Sequence, residues 1–121
     1  SMAFIQHLIP AADYQALAPD EPVRPASLAA EGFIHCTTET VVLLDIANRF
    51  YTAAPGDFLV LVIDPERVTA PVRFEAPVPP PAPDDAIAGH LFPHIYGPLN
   101  RDAIVALRAA RRRPDGSFIE L

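Results

Sequence analysis

The 121-residue sequence has no tryptophan, no lysine, one methionine and one cysteine. A lone Cys36 excludes an internal disulfide and a cysteine-only zinc site. Without lysine there is no Schiff-base chemistry and no lysine-dependent phosphate loop. Long hydrophobic runs are also missing. The longest, around Val41–Leu44 and Phe58–Ile63, fall far short of the ~20 residues that span a bilayer. The first residues lack the basic start and apolar stretch of a secretory signal. The cytoplasm is therefore the expected compartment, and Ser1 ahead of Met2 reads as a cloning remnant. Positive charge is scarce, with 9 basic residues, all arginine, against 15 acidic ones and a net charge of -6. That balance argues against general nucleic-acid binding, which requires a basic surface.

What is present is enough for one domain, residues 2–121. Half of the residues are hydrophobic and 20% are charged, which supports a core and excludes intrinsic disorder. Apolar runs at Phe4–Ile9, Phe33–Thr37, Phe58–Ile63, Val72–Glu75, Leu91–Tyr96 and Ile104–Leu107 predict strands. For Ile104–Leu107, a helix is the competing assignment. The Phe58–Ile63 run is continuous, as for a strand buried on both faces. A weak helix is predicted from Pro10 to Leu17, and a turn or short helix at Ser27–Glu31, closed by Gly32. The main helix is predicted over Glu39–Tyr51 with Thr38 as its cap. Leu43, Ile46, Ala47 and Phe50 form its apolar face. Pro114-Asp115-Gly116 before Phe118-Ile119 predicts a terminal hairpin. Five of the 15 prolines crowd residues 77–83, so that segment is extended and polyproline-like: a stiff spacer or a ligand for a partner domain. The sum is an α+β fold.

Strand alternation sorts the candidate site residues. It places His35 and Thr37 on one face and Cys36 on the other, so Cys36 reads as a small buried hydrophobe rather than a nucleophile. His94 and Tyr96 share a face between Pro93 and Gly97-Pro98, and supply an acid/base pair or two hydrogen-bonding groups. For each pair, a packing role weighs evenly against a functional one. His90 and His94 have i, i+4 spacing, but Pro93 opposes the helix that a zinc site would need, so no metal is expected. Arg108, Arg111, Arg112 and Arg113 read as a solvated edge or, alternatively, a phosphate contact.

The strings Arg24-Pro25-Ala26-Ser27-Leu28, Glu31-Gly32-Phe33-Ile34-His35-Cys36-Thr37-Thr38, Ala47-Asn48-Arg49-Phe50-Tyr51 and Leu91-Phe92-Pro93-His94-Ile95-Tyr96-Gly97-Pro98-Leu99 resemble the bacterial domain-of-unknown-function family 952, over roughly Ile5 to Leu107. More distantly, the order of pieces resembles the ADP-ribosyltransferase superfamily, nearest to the catalytic half of RNA 2′-phosphotransferases. That resemblance implies a split β-sheet with one main helix. It also implies a cleft for NAD or an ADP-ribose-like nucleotide, served by a transferase or hydrolase.

In that cleft His7, Arg24, Ser27, Thr37 and Tyr51 would bind the ligand, and His35, His94, Glu31 and Tyr96 would be catalytic. His7 and His35 would orient ribose hydroxyls or diphosphate. His94 or Glu31 would be the general base, and Tyr96 or Tyr51 would stack on a ring. Leu8-Ile9 replaces the Gly-Thr pair that usually follows the first histidine, and the arginine set that grips RNA phosphate has no full counterpart. A small nucleotide, gripped by Arg24 or Arg49 if anionic, is the expected ligand rather than a nucleic acid. The alternatives are a non-catalytic binding module and a protein-interaction domain.

Overall fold

The computed structural model describes residues 2–121. Its elements in chain order are β1 (Ile5–Pro10), α1 (Ala11–Gln15), α2 (Ala26–Glu31), β2 (Ile34–His35), α3 (Thr40–Phe50), β3 (Phe58–Ile63), β4 (Val72–Glu75), β5 (Phe92–Ile95), β6 (Ile104–Ala109), β7 (Arg111–Arg112) and β8 (Phe118–Glu120). Single 3-10 turns at Pro65–Arg67 and Arg101–Ala103 follow β3 and precede β6. The result is a small α+β domain of antiparallel sheets, with α3 its one substantial helix.

The continuous apolar run at 58–63 forms the centre of the first sheet, ordered β1-β3-β6. Both of its faces are covered, as the absence of alternation predicts. Leu61 and Ile63 join Ile5, Ile9, Ile34, Ile95 and Leu99 in one core cluster. Phe58 and Val60 join Leu8, Leu43, Ala47, Phe118 and Leu121 in a second. The chain at 104–109 is a strand and not a helix, because it completes the ladder on β3. The terminal hairpin forms as β7 on β8.

The second sheet, ordered β2-β5-β4, corrects the strand predicted over 33–37. Only Ile34 and His35 pair with β5, opposite Ile95 and His94. Next along, the Cys36 amide donates to the Pro93 carbonyl at 3.0 Å. Pro93 has no N–H to return that bond, so the ladder ends there. Thr37 turns instead to Gln6 of β1, exchanging two backbone bonds of 2.7 and 2.9 Å. Residues 35–37 thus form the seam between the two sheets.

Two further expectations shift. Thr38 is not the cap of α3: the helix starts at Thr40, and Glu39 at its N-cap makes no side-chain cap bond. The Thr38 carbonyl accepts from Gln6 Nε2, and Thr40 Oγ1 donates to Gln6 Oε1. Arg112 is no solvated charge. Its guanidinium donates to the carbonyls of Tyr51, Thr52, Gly56 and Gly116. It also sits 5.3 and 4.4 Å over the rings of Phe58 and Phe118. It clamps the terminal hairpin to the 51–56 loop, with both charge-assisted bonds and ring contacts. Arg111 reaches Glu120 instead.

That clamp sets a test. Gly116 has φ +95° and a Cβ added there would lie 2.0 Å from the Thr52 carbonyl oxygen. Gly56 has φ +87° with nothing within 4 Å. Gly56→Ala should cost about 1–2 kcal/mol, the price of a left-handed residue. Gly116→Ala should cost about 3 kcal/mol or more, because backbone must also move. Denaturant midpoints of the two variants check the difference.

Candidate functional site

A cavity of about 220 Å³ lies at the seam between the sheets. β1 contributes His7 and Leu8, and the chain after α2 contributes His35, Cys36 and Thr37. The apolar stripe of α3 divides its work. Leu43 and Ala47 are buried in the second cluster, while Leu43, Ile46 and Phe50 line the cavity with Tyr51 beyond the helix end. β5 supplies Phe92 and His94, and Glu31 stands at the end of α2. The stiff proline segment contributes to the site: Pro77, Val78 and Pro79 form one wall. A bidentate pair of 2.7 and 2.8 Å between Arg49 and Asp85 anchors the chain beyond it to α3.

Three histidines meet here in three different settings. His7 is 6% exposed, and its Nδ1 lies 2.6 Å from the His35 carbonyl. A carbonyl only accepts, so the ring carries its proton on Nδ1. Burial lowers the His7 pKa to about 4, and the hydrogen bond to His35 offsets this only in part. At neutral pH the ring is therefore uncharged, with Nε2 an acceptor. His35 is half-buried, with Nε2 2.6 Å from Glu31 Oε2. His94 is 1% exposed. Its ring stacks on Phe33 at 4.2 Å and meets His35 edge-on at 5.5 Å.

Among the described residues, three buried side-chain polar atoms lack a hydrogen-bond partner: His7 Nε2, Ser27 Oγ and Thr37 Oγ1. Two of the three belong to residues lining this one cavity. Unpaired buried polar atoms are rare and costly, so such a pair marks a place for a ligand or water.

The structure brings His7, Glu31, His35, Thr37, Tyr51 and His94 to one cavity. Tyr96 does not line it; its ring lies 5.4 Å from Phe33 and its hydroxyl is engaged by Glu75. Arg24 is exposed and Ser27 half-buried, and neither lines the cavity. Arg49 is held by Asp45 and Asp85 rather than offered to an anion. Among the described residues no arginine lines the cavity. His90 is exposed, and among the described residues no three His, Cys, Asp or Glu side chains converge as a metal-binding set. Burial pushes the Cys36 thiol far above its usual range, leaving no thiolate for nucleophilic work.

One group was missed by the sequence reading. Glu75 Oε1 accepts from His94 Nδ1 at 2.9 Å and from the Tyr96 hydroxyl. These bonds hold the Glu75 carboxyl below the usual carboxylate range, Tyr96 contributing most, and raise the Tyr96 phenol. Alternation within Val72–Glu75 does pair Arg73 with Glu75 on one face. Which strand they oppose is a matter of register.

The buried neutral His7 has a consequence for stability. In the unfolded chain the ring protonates near pH 6.5; in the folded chain it resists until about 4. Between those values the unfolded state binds the extra proton, so stability rises with pH through this window and is lost as pH falls. Lowering the pH from 7 to 4 should cost about 3 kcal/mol through His7. The comparison is denaturant unfolding of wild type and His7→Gln across that range, in which the variant should lose less.

No curated protein matches this chain in sequence. The crystal structure of protein CC0527 from Caulobacter crescentus matches with a TM-score of 0.66 at 20% identity, covering 97% of this chain and 94% of that one. A double mutant of CC0527 matches with the same figures. At this identity the likeness concerns the fold alone. A family model covers residues 8–107, including the second half of β1, the seam, α3, β5 and most of β6. The chain belongs to that family, which is described as protein of unknown function, DUF952.

Proposed function

We propose that the cavity is the site of a transferase or hydrolase acting on NAD or an ADP-ribose-like nucleotide, with the nicotinamide-bearing ribose seated between His7 and Thr37. The observation that carries this is the pair of buried, unpartnered atoms His7 Nε2 and Thr37 Oγ1. A neutral Nε2 needs a donor, and a threonine hydroxyl both donates and accepts. A sugar diol satisfies both, whereas a phosphate oxygen offers nothing to Nε2. Leu43, Ile46, Phe50 and Tyr51 give an apolar wall for a flat ring, with Tyr51 as the aromatic partner.

The size fits one end of such a ligand. About 220 Å³ is below the ~300–1,000 Å³ of sites that enclose a drug-sized molecule. The nicotinamide riboside end would enter, and the diphosphate would stay at the mouth in water, where no lining arginine is needed. Cleaving the N-glycosidic bond develops positive charge on the ribose, and Glu31 is the lining carboxylate that would stabilise it. This reading agrees with the ADP-ribosyltransferase-like order of pieces in the sequence. The lack of a lining arginine among the described residues favours a second reading, a non-catalytic module that holds the nucleotide or another hydroxyl-bearing metabolite without turning it over.

Titration calorimetry with NAD and ADP-ribose, with chromatographic measurement of nicotinamide release, separates the two. Thr37→Val removes the hydroxyl at constant shape and should weaken NAD binding about tenfold, the worth of one good hydrogen bond. His94→Ala and His35→Ala should suppress release. Binding of NAD without release would select the binding module, and neither binding nor release would overturn both the NAD site and its chemistry.

A further inference from the structure

Three strands converge on the His94 ring. In register, His35 of β2 lies opposite His94, and Arg73 of β4 lies opposite it on the other side. Glu75, two residues on from Arg73, lies opposite Phe92. The face of this sheet that carries His94 therefore also carries Arg73 and Glu75, while Val72, Ile34 and Ile95 pack into the core on the other face.

The Glu75 carboxylate Oε1 accepts from both His94 Nδ1, at 2.9 Å, and the Tyr96 hydroxyl. An ionised carboxylate cannot donate, so Nδ1 must carry a proton. The Tyr96 hydroxyl favours that ionised form, and the Arg73 guanidinium sits 5.0 Å over the Tyr96 ring. Phe33, stacked on the His94 ring at 4.2 Å, fixes the imidazole plane. With Nδ1 engaged, Nε2 is the nitrogen that His94 can present to the cavity it lines. Glu75 itself is absent from the lining, so any influence it has on a ligand passes through His94.

We propose that Glu75 is a positioning residue that holds His94 with its proton on Nδ1, so that Nε2 accepts the proton of the group attacking the ribose. This rests on the reading of the cavity as a site for NAD-type chemistry. With water as the attacking group, its oxygen bonds to the anomeric carbon as the bond from that carbon to the nicotinamide nitrogen breaks. The bonding pair leaves with nicotinamide and neutralises its ring. The water proton passes to His94 Nε2 and then to solvent. NAD and water give ADP-ribose, nicotinamide and a proton. The logic is that of a carboxylate orienting a histidine base, in which loss of the carboxylate's charge leaves the imidazole in the wrong tautomer.

The test uses the full chain carrying Glu75→Gln and Glu75→Asp. Nicotinamide release gives kcat and KM, and the nitrogen-15 shifts of the His94 ring give its tautomer. Glu75→Gln should lower kcat at least about tenfold with KM within about twofold, and should move the ring away from the Nδ1–H form. Glu75→Asp should recover part of both. A loss of kcat with the tautomer unchanged would overturn the positioning role. A changed tautomer with kcat intact would remove His94 as the proton acceptor and overturn it too. If the wild type releases no nicotinamide, the functional reading fails by itself. The ring shifts then decide separately whether Glu75 orients His94: a tautomer unchanged in Glu75→Gln overturns that as well, and a changed one upholds it.

Discussion

The architecture of the site depends on a hydrogen bond that one residue cannot make. Pro93 occupies the middle strand of the second sheet, where the chain following β2 expects a donor. It accepts from Cys36 but offers no N–H in return. The β2 ladder stops after two residues, and Thr37 is released to pair with Gln6 of the first sheet. That crossing carries the His35 carbonyl to the His7 ring and sets Thr37 beside them. A strand continuing in place would have kept 33–37 in one sheet and left His7 on the other with no common cavity.

Around this seam, three histidines take different chemical characters from their partners. His7 is desolvated and neutral, so it can only accept at Nε2. His35 Nε2 is hydrogen-bonded to the half-exposed Glu31 carboxyl group. His94, buried between Phe33 and the Glu75 carboxylate, faces the cavity with one nitrogen. The cavity wall holds a carboxylate and no arginine. Its electrostatics suit hydroxyls, and a charge that becomes positive, better than a bare anion. The arginines act elsewhere: Arg112 ties the terminal hairpin to the 51–56 loop, and Arg49 fastens the chain beyond the proline wall through Asp85.

Much of this was legible before the structure. Strand alternation placed His35 with Thr37 and His94 with Tyr96, and set Ile34 and Cys36 behind them in the core, because a two-residue period needs only the strand itself. The α3 stripe of Leu43, Ile46, Ala47 and Phe50 was equally local. Its division between core and cavity wall was not, since that depends on what packs against each turn. Glu75 was overlooked although Arg73 and Glu75 visibly share a face, because register between β4 and β5 joins residues some twenty positions apart. Arg24 and Ser27 belonged to a recognisable string yet lie outside the cavity, since proximity in sequence to Glu31 and His35 does not survive the turn of α2. Arg112 looked like one of a solvated row, because only the folded chain presents it with four open carbonyls and two aromatic rings.

The sequence by itself determined the α+β class, the doubly buried central strand, the main helix, the terminal hairpin and the inertness of the single cysteine. Each follows from periodicity, turn chemistry or composition within a short window. Only the tertiary structure decided that the two site-like histidine strands and the first-strand histidine share a cavity, that a proline segment closes one side of it, and that Glu75 stands behind His94. Those relations are set by inter-strand register and by the hydrogen bond missing at Pro93, quantities that no local pattern records.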